Sequence, residues 1–176
     1  MERKVPSISR FCLAVAILSA GFLGQLGCTA SDSKRGLQAD RIVIIKSEHR
    51  MDLIRDGHTL KEYKVALGRS GGRKLVEGDH KTPEGLYVVD SKISESRFYK
   101  ALHLNYPNAS DLERARKLGV NPGSAIEIHG IPWWFGWLGP VQHRIDWTDG
   151  CIAVSNSQIE EIWKMVPVGT PVEIRL

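Results

Sequence analysis

At 176 residues, 42% of them hydrophobic, the chain is long enough to bury one proper core and too short for two. The formal net charge of +4 is modest, and no lysine or arginine run lies beyond the N-terminal leader, which argues against a nucleic-acid partner. One catalytic or binding domain is expected.

The first residues stand apart from that domain. Arg3, Lys4 and Arg10 give a basic start, residues 11–23 form an apolar run of signal-peptide length, and small residues follow. Gln25 interrupts the run too soon for a good membrane-spanning helix. Residues 1–27 are therefore expected to be a signal peptide. They end in Gln25-Leu26-Gly27-Cys28, which resembles a bacterial lipobox, although Gln25 stands where leucine is usual. On that reading Cys28 is lipidated and becomes the new N-terminus; the competing reading is ordinary cleavage near Cys28-Thr29-Ala30. Either way the protein is expected to be exported to the periplasm or cell envelope, and the lipidated form touches a membrane only through its anchor. Loss of the leader removes Arg3, Lys4, Arg10 and Glu2, leaving a nearly neutral mature chain.

Residues 28–39 are small and polar and read as a flexible tether. The folded domain is expected over residues 40–176. Residues 41–46, 51–55 and 60–67 predict a meander of antiparallel strands, with Asp56-Gly57 as a hairpin turn. Residues 68–85 are glycine-rich and without period, hence a loop, and a strand resumes at 86–90. A capping box from Ser110 to Glu113 opens a short helix over 111–118 that Gly119 stops. Pro122-Gly123 marks a turn, and residues 125–129 alternate as a strand that delivers His129 to its end. The stretch 131–146 is irregular and aromatic. Ile159, Ile162, Trp163 and Val166 then recur at helical spacing after a polar start at Asn156-Ser157, with Pro167 and Gly169 closing that helix and a last strand over 170–175. The fold class is mainly β (α+β) with two short helices.

Cysteine usage narrows the chemistry. Cys12 lies in the leader and Cys28 at its end, so Cys151 is expected to be the lone thiol of an exported domain. Such a thiol is either buried and inert or in use. A cysteine nucleophile needs a base to take its proton and backbone donors for the charge that develops on the substrate. His129, at a strand end before Gly130 and a long loop, is a candidate general base; the alternative is a histidine that only hydrogen-bonds there. In Asp149-Gly150-Cys151 the glycine permits a backbone turn that could aim amides into a site as an oxyanion hole, or forms a plain turn. No second histidine or cysteine stands at ligand spacing from either residue, so no metal is expected.

These residues resemble the L,D-transpeptidase catalytic domain family (YkuD-type) of bacterial cell-wall enzymes. The signature positions are His129, Gly130, Thr148, Gly150, Cys151, Ile152 and Asn156, joined by Gly78 and the run from Thr82 to Tyr87. The resemblance covers roughly residues 40–176 and implies a β-sandwich or barrel. It also implies that Cys151 is the nucleophile, His129 the general base oriented by the Gly130 carbonyl, and Gly150 part of the oxyanion region. No cofactor is implied, and the expected partners are peptidoglycan stem peptides. Two positions depart from the signature: Asp149 replaces the usual histidine and Ala153 the usual arginine, which leaves the role of Asp149 open and puts substrate recognition in question. His143 and Arg144 are candidates to refill those roles. Thr148 and Asn156 are counted with the substrate residues, as are Trp133, Trp134 and Trp137, which with Phe135 form either a rim over the cleft or a hydrophobic plug.

The activity implied is attack by Cys151 on the amide between the diamino acid and D-alanine of a stem tetrapeptide, followed by transfer of the acyl group to an amine or to water. The alternatives are an L,D-carboxypeptidase or an amidase that cuts a wall linkage, and a non-catalytic peptidoglycan-binding lipoprotein. Oligomeric state is not legible.

Overall fold

Strand β1, Arg41–Ile45, is an apolar run buried along almost its whole length, as suits a strand with neighbours on both sides. It pairs antiparallel with β2, Arg50–Arg55, and parallel with β8, Pro171–Arg175. β2 turns into β3, His58–Lys64, through Asp56 and Gly57, both at positive φ as a tight hairpin requires. The computed structural model describes residue 1 and residues 38–139 and 141–176. The expected signal peptide, the lipidation site Cys28 and most of the tether lie outside the described residues.

The remaining strands are β4, Gly85–Ser96, β5, Tyr99–Leu104, β6, Glu127–His129, and β7, Ile152–Ala153. Together they form an eight-stranded sheet in the order β3-β2-β1-β8-β4-β5-β6-β7. β4 pairs with β8 over its first residues and with β5 further on, with register shifts along the second pairing, so one long strand carries the sheet from one half to the other. The two outer strands then meet. Ala66, just past β3, exchanges both backbone hydrogen bonds with Ala153 of β7, at 3.0 and 2.9 Å. The sheet is thus drawn round on itself, as the sandwich or barrel expectation requires.

The enclosed core contains Ile42, Ile44, Met51, Leu53, Leu102, Ile128, Ile152 and Ile174, all fully buried. Helix α2, Asn156–Met165, contributes Ile159 and Ile162 to it. Helix α1, Ala109–Leu118, ends on Gly119 at positive φ as expected. Its capping box, however, is Asn108 with Asp111 rather than Ser110 with Glu113, because Asp111 is buried beside Tyr87 and Arg114 while Glu113 pairs outward with Arg116 and Lys117. α2 is likewise capped one residue early, by Ser155 with Gln158.

The far half of β4 and all of β5 were not expected. Their hairpin is half exposed and carries Asp90, Ser91, Lys92, Ser94 and Glu95, so no clean alternation marks it. Ile128 sits at full burial in the strand that ends at His129, and Ile128→Ala is expected to destabilise the fold by about 2–5 kcal/mol; a urea titration checks this through a lower midpoint with an unchanged slope.

Candidate active site

The pairing of β6 with β7 sets the geometry. It is parallel, with Ile128 opposite Ile152 and His129 opposite Ala153. Because strand side chains alternate, the two isoleucines enter the core while His129, and Cys151 immediately before β7, are carried on the other face. Two residues far apart in sequence become diagonal neighbours.

His129 is buried beneath Phe98, whose ring stacks on the imidazole at 4.3 Å, with the Trp147 ring edge-on at 5.8 Å. Its Nδ1 lies 2.6 Å from the Gly130 carbonyl oxygen. A carbonyl only accepts, so Nδ1 carries the proton and Nε2 of the neutral ring is left with a free lone pair. Burial pushes the imidazole pKa down to about 4, against the opposing pull of the Gly130 carbonyl.

The Cys151 thiol is partly exposed and donates to the Ala125 carbonyl at 3.6 Å. Burial pushes its pKa up to about 11, and the carboxylates of Glu127 and Asp149 push the same way, opposed by the Glu127 backbone N–H and by Lys74. At neutral pH the two groups therefore rest as a neutral thiol and a neutral imidazole rather than as an ion pair.

The turn before Cys151 is shaped by Thr148. Its hydroxyl donates to the Cys151 carbonyl at 2.8 Å and accepts the Gly150 N–H at 3.1 Å. Gly150 has φ +124°, and a Cβ there would lie 2.7 Å from the Lys81 carbonyl oxygen, so a side chain has neither conformation nor room. The Gly150 N–H is thus already committed to Thr148. Among the described residues the Cys151 N–H has no partner and is the free backbone donor of the turn.

Thr148 and Asn156, counted with the substrate residues in the sequence, both hold backbone here. The Asn156 carboxamide oxygen accepts the Ile131 N–H at 2.8 Å, and a Cβ on Gly130 would meet that oxygen at 2.5 Å. Asn156 thus fixes the loop whose Gly130 carbonyl orients His129. Ala153, where the signature has arginine, is fully buried, its backbone paired with Ala66 on one side and His129 on the other.

Asp149 is exposed, and its carboxylate lies 2.8 Å from His80 Nδ1 and 3.1 Å from an Arg69 guanidinium nitrogen. These are the histidine and arginine that stand beside the turn bearing Cys151. His143 and Arg144 lie instead on a short 3-10 helix, Gln142–Arg144, and make no side-chain hydrogen bond or ion pair among the described residues. Arg69 and His80 belong to the arch of residues 68–84, which is pinned from beneath by the buried Lys46 ammonium to the Thr82 carbonyl and Glu84, and by the Thr82 hydroxyl to the Gly68 N–H.

The tryptophan segment is a rim. Trp133 and Trp137 are 78% and 75% exposed, which rules out the plug reading for both. Trp134 and Phe135 line an apolar cavity of about 470 Å³ with Phe98, Ile145, Trp147 and Arg97, on the far side of the rings that cover His129. Sequence reasoning missed Phe98, Trp147, Ala125 and Arg69 as site residues. Only Trp147, four residues from Cys151, carried a local signal. Among the described residues no cluster of three or more His, Cys, Asp or Glu side chains is gathered to hold a metal.

A family model for the L,D-transpeptidase catalytic domain, YkuD, matches residues 39–174. The Escherichia coli K12 protein named "Putative L,D-transpeptidase YafK" is 32% identical over 177 residues, covering 93% of this chain. The chain spans 64% of that relative's length. Among solved structures, the helical cell shape determining protein Pgp2 from Campylobacter jejuni is 26% identical with a TM-score of 0.59, over 76% of this chain and 46% of that one. L,D-transpeptidase 3 from Mycobacterium tuberculosis, solved with a faropenem-derived adduct, shares the fold at a TM-score of 0.53 and 18% identity, over 77% of this chain and 60% of that one.

Burial under Phe98 is what holds the imidazole pKa low. Phe98→Ala is expected to admit water and raise it from about 4 toward the ordinary 6.5, read as the NMR titration of the His129 ring; an unmoved midpoint would show that another group sets it.

Proposed function

Because the chain belongs to the L,D-transpeptidase catalytic-domain family, we propose that it is a peptidoglycan L,D-transpeptidase in which Cys151 is acylated by a stem tetrapeptide. The observation that carries this reading is the fixed His129 tautomer, Nδ1–H on the Gly130 carbonyl and Nε2 free, on the face that also bears the Cys151 thiol. An inert cysteine would need no such partner.

The steps follow from the two neutral groups. As Cys151 sulfur attacks the carbonyl carbon between the diamino acid and D-alanine, its proton passes to His129 Nε2. The oxyanion is met by the Cys151 N–H. His129 returns the proton to the departing D-alanine nitrogen, the C–N bond breaks, and a thioester remains. An acceptor amine then attacks the thioester, and the thiolate released takes back a proton. Burial keeps both groups neutral at rest, so sulfur ionises only while the new bond forms. An exported chain with a lipid anchor at Cys28 fits a wall-bound substrate, and a bearing on cell shape fits the name of the Campylobacter relative.

A second reading has water as acceptor, or an existing wall linkage as the bond cut. It is favoured by Asp149 and Ala153, since the cation beside the cleft here is Arg69, delivered by the arch rather than by the signature strand.

Incubating the purified protein with disaccharide tetrapeptides separates the readings. Crosslinked dimers with released D-alanine are expected from the wild type, and neither product from Cys151→Ala. Tripeptides alone would place water in the acceptor role, and no product from the wild type would contradict acylation by tetrapeptides.

A further inference from the structure

Glu127 opens β6 two residues before His129 and so lies on the same face. The β6–β7 ladder begins with Ile128 opposite Ile152, and one step earlier on each strand stand Glu127 and Cys151. On its other side Glu127 faces His103 of β5, which is itself held by Asp90 at 2.7 Å. Asp90, His103, Glu127 and Cys151 thus form a row across the sheet. Among the described residues the Glu127 carboxylate makes no hydrogen bond and no ion pair, although it is half buried.

An unpartnered, half-buried carboxylate is unfavourable for the fold, and beside a thiol it also opposes thiolate formation. The first gains the fold nothing, and the second works against the first half of the reaction. They make sense for the second half, in which a cation enters. An alkyl amine arrives at neutral pH as an ammonium ion and must lose a proton before it can attack. His129, buried under Phe98 with Nδ1 committed to the Gly130 carbonyl, has only Nε2 to offer, and the tetrahedral adduct needs that nitrogen for its second N–H proton. The Glu127 carboxylate, half buried and without a partner among the described residues, is free to take the first. In a site drying around substrate, burial favours the neutral forms of carboxyl and amine alike, so proton transfer along a hydrogen bond between them becomes easier than in water.

Resting on the acyl-enzyme reading above, we propose that Glu127 is a catalytic residue of the second half-reaction: its carboxylate receives the ammonium group of the acceptor and takes the proton the amine loses. The balance is complete within the site. The ammonium proton moves to Glu127, the amine nitrogen attacks the thioester carbon, and a second N–H proton moves to His129. The C–S bond then breaks, the thiolate takes the proton from His129, and Glu127 releases its own to solvent. Thioester and ammonium become amide, thiol and one proton.

The test compares full-length wild type with Glu127→Gln and Glu127→Asp, using disaccharide tetrapeptides as donor and acceptor and a carbapenem as an amine-free acylating probe read by intact mass. Glutamine keeps the shape and removes the charge, and melting curves report whether the fold survives. The dimer-to-tripeptide ratio is expected to fall roughly tenfold or more in Glu127→Gln and to recover in part in Glu127→Asp. The carbapenem adduct should form on Cys151 no more slowly, because a charge opposing the thiolate is gone. An unchanged ratio, or equal loss of both products with slowed adduct formation, would overturn the assignment. A wild type that makes tripeptides alone would overturn it too, while leaving the acyl-enzyme reading standing. A wild type that forms no adduct and no product would remove that reading and the assignment together.

Discussion

The short parallel pairing of β6 with β7 is the seam on which the rest of the structure depends. β7 is only two residues long, yet Ala153 pairs with His129 on one side and with Ala66 on the other. That single residue joins the two outer edges of the sheet and sets His129 beside the cysteine's turn. Ala153, fully buried, stands where the signature has arginine, at the place where the sheet closes. The turn leading into the seam is held by one hydroxyl, that of Thr148, which fixes the Gly150 N–H and the Cys151 carbonyl together.

Electrostatics at the site run against a preformed thiolate. The imidazole is stripped of water by Phe98 and Trp147, and the thiol is faced by Glu127 and Asp149 as well as by burial. Papain-like activation by a resting thiolate–imidazolium pair is therefore not how this site is built. The proposed chemistry relies on coupling the proton's departure to the attack, with His129 of fixed tautomer as base and the Cys151 N–H to meet the oxyanion. The same charges that suppress the thiolate arrange the surroundings: Asp149 gathers His80 and Arg69 from the arch into the place where the signature histidine would stand.

Much of this was legible in the sequence where the signal is local. The β1–β3 meander, the loop over 68–85, both helices and the strand ending at His129 follow from periodicity and turn residues, and the His129–Cys151 pair followed from motif spacing. What escaped depends on contacts between distant segments. Phe98 comes from the tip of a hairpin with no clean alternation, and His80 and Arg69 come from an arch whose sequence announces only irregularity. Thr148 and Asn156 were visible as motif residues, but their hold on the backbone was not, since a residue that shapes a loop and one that touches a ligand look alike until the hydrogen-bond partners are known. The rim of exposed tryptophans was visible too, with its orientation undecided until burial was known.

The central claim is that thiol and imidazole rest neutral and that sulfur ionises only during attack. The rate at which iodoacetamide alkylates Cys151, followed across pH by intact mass, tests it most directly. The account predicts low reactivity through neutral pH and a continuous rise into the alkaline range, following a thiol whose pKa is pushed up to about 11. A plateau of high reactivity around neutral pH that falls away only as the solution is made acidic would mark a resting thiolate–imidazolium pair and contradict it.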